Sequence, residues 1–403
     1  MNRQLFISDC IFTANPKKPL ISGAILVQDG IIEDVIEGFP DNELLRKVDK
    51  IHDLRAQLLC PGLVDAHTHL VHGGSRENEL LMKLNGKSYM DIHAAGGGIF
   101  STVRASRQAS ETELYEKAKA TLQLMLEHGS TTVESKSGYC LDLEGELKLL
   151  RVNQRLQAEQ AVDLAITYMG AHATPQDYPG GHEAYIEDMM TEIMPRVKAE
   201  NLAEFVDIFC EEGIFSLAET EALGQRAKEL GFKLKIHADE IVSLGGAGLA
   251  ADLKAVSAEH LMQIKDSDIE KLKASGTVAV LLPATSFFLM SPQYAPARKM
   301  LDSGVTVALA TDYNPGSCPC PNLQMVMSFA AYQLKMTPLE ILFAVTINAA
   351  KAIDRADRIG SIEPGKECDL VAFKVKSPEE LIYSFGRNLV SDVWKAGRHL
   401  VHQ

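Results

Sequence analysis

Apolar and polar positions along this chain alternate in two ways. At both ends they read as short strands broken by turns. Leu5–Phe12, Ala24–Gln28 and Ile31–Ile36 are β-rich, and Asn15-Pro16, Asp29-Gly30 and Gly38 punctuate them. Gln28-Asp29-Gly30-Ile31 predicts a hairpin, because Asp-Gly takes up the backbone angles a two-residue turn requires. The far end repeats the style. Gly360-Ser361-Ile362-Glu363-Pro364-Gly365-Lys366 precedes Asp369–Phe373, and Val390–Gly397 leads into His399-Leu400-Val401. The two ends are expected to pair into one small β domain, residues 1–57 plus 360–403.

Between them, from 58 to 359, β-like and helical patterns alternate, the signature of parallel β/α units. The strand candidates are Leu58–Asp65, Ser130–Ser135, Ala165–Gly170, Phe205–Phe209, Lys233–Ile236, Ala255–Ala258, Val278–Leu282 and Val305–Ala310. Helical periodicity separates most of them, as in Glu111–His128, Leu143–Glu159, Ala184–Glu200 and Leu217–Leu230. That strand count predicts a closed (β/α)8 TIM barrel, whose functional residues sit just after the strands. No internal repeat or low-complexity tract interrupts the pattern. The Gly-rich stretch from Thr68 to Ser110 is a long loop, either functional or poorly ordered.

Composition narrows the class. The 403 residues are 46% hydrophobic and 23% charged, the balance of a globular protein with a large core. A net charge of −14 argues against nucleic acid or an anionic membrane surface as partner. It also means that an anionic substrate needs local positive groups. No apolar run approaches the roughly 18 to 20 residues that span a bilayer, and the first residues lack the pattern of a signal peptide. Seven scattered cysteines without a C-x-x-C pair predict free thiols in a reducing cytoplasm.

The strand ends carry the chemistry. Asp65-Ala66-His67-Thr68-His69 closes the first strand; residues two apart on a strand share a face, so both imidazoles can reach one ion. The third strand ends in Gly170-Ala171-His172, the fifth in His237-Ala238-Asp239-Glu240, the sixth in Glu259-His260 and the eighth in Thr311-Asp312. Five of the twelve histidines thus fall on one predicted rim. A single such histidine is more often a satisfied core or surface residue; the coincidence favours a metal site. Three imidazoles and a carboxylate suit zinc or iron better than calcium or magnesium. Such an ion lowers the pKa of a bound water to about 7. Asp312 is a candidate ligand and proton acceptor, with a helix N-cap as its alternative. Glu240 is a candidate proton shuttle to a leaving nitrogen, with a solvated loop acid as its alternative. His260 is either an oxyanion donor or a core histidine.

The neighbouring loops supply recognition candidates. Arg76 in Gly73-Gly74-Ser75-Arg76-Glu77 suits a substrate carboxylate, or a structural salt bridge. Tyr139 in Lys136-Ser137-Gly138-Tyr139 offers a hydroxyl and a flat face. Asn314-Pro315-Gly316-Ser317 forms a turn whose backbone N–H groups are expected to be exposed. Gly96-Gly97-Gly98 lacks the strand–turn–helix setting of a nucleotide loop.

These segments together resemble the amidohydrolase superfamily, in particular its branch that opens the ring of 4-imidazolone-5-propanoate. The matching set includes Asp65–Val71, Gly73–Glu77, Gly96-Gly97-Gly98-Ile99 with Ser101-Thr102-Val103, Lys136–Tyr139, Gly170–His172, Lys235–Glu240 and Ala310–Ser317. The resemblance implies an α/β fold: a distorted (β/α)8 TIM barrel with a small β-sandwich-like domain from both termini. It implies hydrolysis to N-formimidoyl-L-glutamate in histidine breakdown. It implies one Zn2+ or Fe2+/Fe3+ per subunit, held by His67, His69, His237 and Asp312, and a homodimer. Arg76, Tyr139, His172, Glu240, Asn314, Gly316 and Ser317 match substrate or product positions. Two-metal relatives carry a bridging lysine after the fourth strand; Asp207-Ile208-Phe209-Cys210-Glu211 has none, which agrees with one metal. Ala66 stands where Pro is common, Cys140 and Ala284 stand where Gly is usual, and Cys318-Pro319-Cys320 is unusual. The alternative within enzymes is a ring deaminase with the same ligand set; from another class, it is a catalytically silent barrel that serves as a binding subunit.

Overall fold

A computed structural model describes residues 2–86 and 97–403. Gly96, at the start of the Gly96-Gly97-Gly98 run, lies outside the described residues, as does the rest of 87–96; the described part of Thr68–Ser110, expected as a long loop, holds two helices, Asn78–Leu84 and Ile99–Gln108.

The chain ends build one mixed sheet. Its N-terminal members are β1 (Arg3–Phe12), β2 (Leu20–Gln28), β3 (Ile31–Glu37), β4 (Lys50–Asp53) and β5 (Leu58–Pro61). The expected hairpin joins β2 to β3, with Gln28 opposite Ile31 and positive φ at both Asp29 (51°) and Gly30 (87°), the conformation that Asp-Gly favours. The barrel follows with β6 (Leu63–Asp65), β7 (Ser130–Lys136), β8 (Asp163–Ala171), β9 (Phe205–Cys210), β10 (Lys233–Ala238), β11 (Ser257–His260), β12 (Val278–Leu281) and β13 (Val307–Leu309). β14 (Leu370–Phe373), β15 (Val390–Lys395) and β16 (Arg398–His402) return to the terminal sheet, whose order is β16-β15-β14-β5-β1-β2-β3 with β4 beside β1.

The apolar run Leu58–Asp65, read from sequence as a single strand, is two. Leu58–Pro61 pairs with β14 and β1, whereas Leu63–Asp65 pairs with β7. The break is Gly62, where a Cβ would lie 2.2 Å from Thr131 Oγ1. One residue without a side chain lets the chain step from the terminal sheet into the barrel.

The barrel strands pair in parallel in chain order, β6 through β13. The seam between β13 and β6 is closed by the Asp65 side chain and by backbone bonds just beyond the two strands. Asp65 accepts from Thr311 N (3.0 Å) and Thr311 Oγ1 (2.6 Å). Asp312 N donates to His67 O (3.0 Å) and His69 N to Tyr313 O (2.8 Å). The seam therefore brings the first and last functional strand ends together.

Helices wrap the outside. Glu111–Glu127 and Leu217–Glu229 start with capping boxes, Ser110 with Glu113 and Ser216 with Glu219. The segment expected as one helix over Ala184–Glu200 runs as Gly181–Asp188, a π turn at Met189–Ile193 and Met194–Ala199. Pro195 has no N–H for the preceding turn, and the helix widens just before it. Inside the barrel, Val64, Ala66, Ala165, Phe205, Val280 and Ala308 form an apolar cluster closed by Ala349, Ala350 and Ile353. The cysteines are all unpaired. Among the described residues no helix is long and apolar enough to cross a membrane.

Candidate metal centre and active site

His67, His69 and His237 converge at the C-terminal mouth of the barrel, each offering a nitrogen within 4.8 Å of the others. Asp312, from the far side of the seam, sets Oδ1 3.5 Å from His67 Nε2 and 3.7 Å from His69 Nε2. All four are buried. His67 Nε2 has no hydrogen-bond partner in this polar setting. A buried ring nitrogen without a partner is costly unless an ion takes its lone pair, so the donor set fits a bound metal of the zinc or iron type. Burial, followed by the charges of Lys136 and His237, pushes His67 well below the usual imidazole range, and burial does the same for His69. Both rings are neutral, the form that ligates.

The backbone is shaped for this. Asp239, His260 and Asp312 all have positive φ, 51°, 69° and 54°. Non-glycine residues in that region are held there by their surroundings and cluster at functional sites. Asp312 does not cap a helix: the next helix, Leu323–Tyr332, is capped by Asn322. Asp312 Oδ2 accepts from Thr285 Oγ1 at 2.7 Å and Oδ1 from Asn314 Nδ2 at 3.1 Å.

Glu240 and His260 stand beside the cluster. His260 lies 5.1 Å from the His237 ring and 5.6 Å from His67, centroid to centroid. Its Nδ1 is 3.5 Å from Glu240 Oε1. It belongs to the mouth of the barrel, not to a remote core. Burial, with Asp312 and Glu211 nearby, pushes the Glu240 carboxyl up to about 8. That direction favours the protonated carboxyl, the form that can give a proton.

The recognition candidates line the same mouth. His172 stacks on His69 (4.9 Å, 20°) and Tyr139 tilts against both rings. His172 Nδ1 sits 3.0 Å from Gly138 O, and burial lowers its pKa to about 3. Arg76 is held through Nε and Nη2 by Glu79, both at 2.9 Å. Its Nη1 faces Gly316, where a Cβ would lie only 2.0 Å away. The amides of Gly316 and Ser317, expected to be exposed, instead donate to Asn314 Oδ1, each at 2.8 Å. An Asn two residues before a turn amide satisfies it locally. Asn314 Nδ2 also reaches Ser317 Oγ at 2.7 Å. Cys140 does not have positive φ; in that loop Gly138 (103°) and Leu141 (59°) do.

Sequence reading missed the groups that hold these in place. Glu146 accepts from the amides of Gly138, Cys140 and Leu141 and so shapes the Tyr139 loop. Glu211 accepts from the amides of Glu240, Ile241 and Val242. Glu259 bonds His67 Nδ1, and Asp207 Oδ2 lies 3.0 Å from His237 Nδ1. A signal was present: Lys235 and His237, like Glu134 and Lys136, are two apart on a strand, so charged residues share the inward face with the ligands.

A solved adenosine deaminase from Xanthomonas campestris with bound Zn matches this fold with a TM-score of 0.71 at 21% identity, over 98% of this chain and 92% of that one. A 5-methylcytosine deaminase from Klebsiella pneumoniae liganded with phosphonocytosine matches with a TM-score of 0.76 at 16% identity, over 99% and 98%. The sequence profile of the amidohydrolase family matches residues 58–400, and the chain belongs to that family of metal-site barrels. A Treponema denticola protein named imidazolonepropionase is 57% identical over 399 residues, 98% of this chain and 97% of that one. A Streptococcus pyogenes (serotype M3) imidazolonepropionase is 50% identical over 376 residues, 93% and 89%. Within the amidohydrolases, the chain belongs with the imidazolonepropionases.

Proposed function

We propose that the protein hydrolyses 4-imidazolone-5-propanoate to N-formimidoyl-L-glutamate. The observation that carries this reading is the convergence of His67, His69, His237 and Asp312 in a chain that is 57% identical to an imidazolonepropionase. These residues would hold one Zn2+ or Fe2+/Fe3+ per subunit. When bound, that ion brings the pKa of a water to about 7 and polarises the ring carbonyl.

The chain's own groups then handle protons and position. Asp312 accepts a proton from the attacking water as the new C–O bond forms. Glu240 carries its proton to the ring nitrogen as the C–N bond breaks, and that nitrogen stays bound to the formimidoyl carbon, so no ammonia leaves. His260, 3.5 Å from Glu240, donates an N–H to the developing oxyanion. Arg76 meets the propanoate, with Tyr139 and His172 packing against the ring and the Asn314-Pro315-Gly316-Ser317 turn shaping the wall. Glu79 takes the Nε and Nη2 side of Arg76, so on this reading Nη1 is the donor that meets the anionic substrate in a chain of net charge −14. We place the enzyme in the cytoplasm, where unpaired thiols persist, as a homodimer with no nucleic-acid or membrane partner.

The deaminase alternative predicts a different product. Purified protein incubated with the imidazolone consumes it without ammonia release on this reading. Ammonia release from a panel of cytosine, guanine and triazine substrates, with the imidazolone untouched, would reverse the assignment.

A further inference from the structure

Barrel interiors are ordinarily filled by branched apolar side chains. Here the layer directly under the histidines is ionic. Glu134, Lys136, Asp207, Lys235 and Glu259 are all fully buried. Lys136 Nζ is 2.7 Å from both Glu134 Oε1 and Asp207 Oδ2. Lys235 Nζ is 3.5 Å from Glu259 Oε1 and 3.7 Å from Glu134 Oε1, and donates to the carbonyls of Ala66 and Ala352. Hydroxyls complete the carboxylates: Thr167 donates to Glu134 and Ser257 to Glu259. Burying this many charges is expensive, and well-packed apolar residues would serve stability as well or better.

Two features say what the layer does. Its upper carboxylate oxygens end on the metal-facing histidines. Glu259 Oε2 bonds His67 Nδ1, and Asp207 Oδ2 lies 3.0 Å from His237 Nδ1 while Asp207 Oδ1 accepts from His237 N at 3.2 Å. A carboxylate on Nδ1 keeps the proton there and turns Nε2 outward as a lone pair. Among the described residues His67 Nε2 is buried without a hydrogen-bond partner, as is His69 Nδ1, and His237 Nδ1 meets Asp207 Oδ2 as a close ion-pair approach rather than a formed hydrogen bond. The second feature is charge. Three carboxyl groups share the layer with two lysines and Asp312 stands above it, so acidic groups outnumber basic ones beneath the histidines. A divalent cation at the histidines offsets that excess.

We propose that Glu259 and Asp207, clamped from below by Lys235 and Lys136, are positioning residues that fix His67 and His237 for the metal and supply charge that a divalent ion completes. This rests on the reading of His67, His69, His237 and Asp312 as its ligands.

Zinc competition against a chromophoric chelator tests it on the full-length protein. Glu259→Gln and Asp207→Asn keep shape but remove charge, and each is expected to weaken zinc about 10- to 100-fold, with the fold checked by circular dichroism. Cobalt-substituted wild-type protein provides a readout that needs no variant. Its hyperfine-shifted spectrum should contain solvent-protected ring N–H resonances assigned to His67 and His237. Unchanged zinc affinity in a folded Glu259→Gln variant overturns the proposal, as does the absence of protected N–H resonances in wild type. Wild-type protein that holds no zinc at all overturns the ligand assignment itself, a separate failure.

Discussion

Gly316→Ala is a small perturbation with a calculable consequence. Gly316 does not use the left-handed backbone region, so alanine brings no backbone strain. The new Cβ instead falls 2.0 Å from Arg76 Nη1 and 2.6 Å from its Cζ. Ordinary contact is about 3.5–4 Å, so the guanidinium must retreat by more than an ångström. It cannot do so and keep both 2.9 Å bonds to Glu79, which also accepts from Gly98 N at 2.8 Å. Overpacking of this kind costs about 1–3 kcal/mol of stability, read by urea denaturation. If Arg76 meets the propanoate, losing a charged hydrogen bond of about 1.5–3 kcal/mol lowers kcat/KM roughly 10- to 150-fold, mostly through KM. A variant with wild-type stability and KM would refute both the packing argument and the role given to Arg76.

Glu240→Gln should keep its metal and lose about 10²–10⁴ in kcat. Because burial raises the Glu240 carboxyl to about 8, its proton is present at pH 7 and lost above pH 8. Wild-type kcat should therefore fall as pH rises through that value, and a stopped-flow pH profile of the variant should lack that limb. Lys395 ties the terminal sheet to the barrel, with Nζ 2.6 Å from Asp369 and 2.7 Å from Asp163. Lys395→Ala leaves the buried Asp369 unpaired and should cost about 3–5 kcal/mol in urea unfolding; a loss under 1 kcal/mol would show that the pair is solvated.

The features legible in the sequence are those with a local signature. Strand ends carrying His67, His69, His237 and Asp312 stand out because strand periodicity and ligand chemistry coincide there. The Asp29-Gly30 hairpin is legible for the same reason. What was not legible depends on partners far apart in the chain. The step at Gly62 exists because Thr131 lies against it. The seam bond of Asp65 to Thr311 spans 246 residues. Glu259 looks like any strand carboxylate until the barrel closes and sets it under His67. The Asn314 turn misleads for a different reason: its sequence predicts a turn correctly, but not that Asn314 takes the turn's own amides.

The central claim is that a single ion at His67, His69, His237 and Asp312 is required for opening the imidazolone ring. The most direct measurement follows imidazolone absorbance during hydrolysis and metal content on the same samples, as the protein is stripped by chelator and reloaded with zinc or iron. The account predicts that activity disappears with the metal and returns in proportion to it, reaching its maximum at one equivalent per chain. Hydrolysis at the full rate by metal-stripped protein would contradict it.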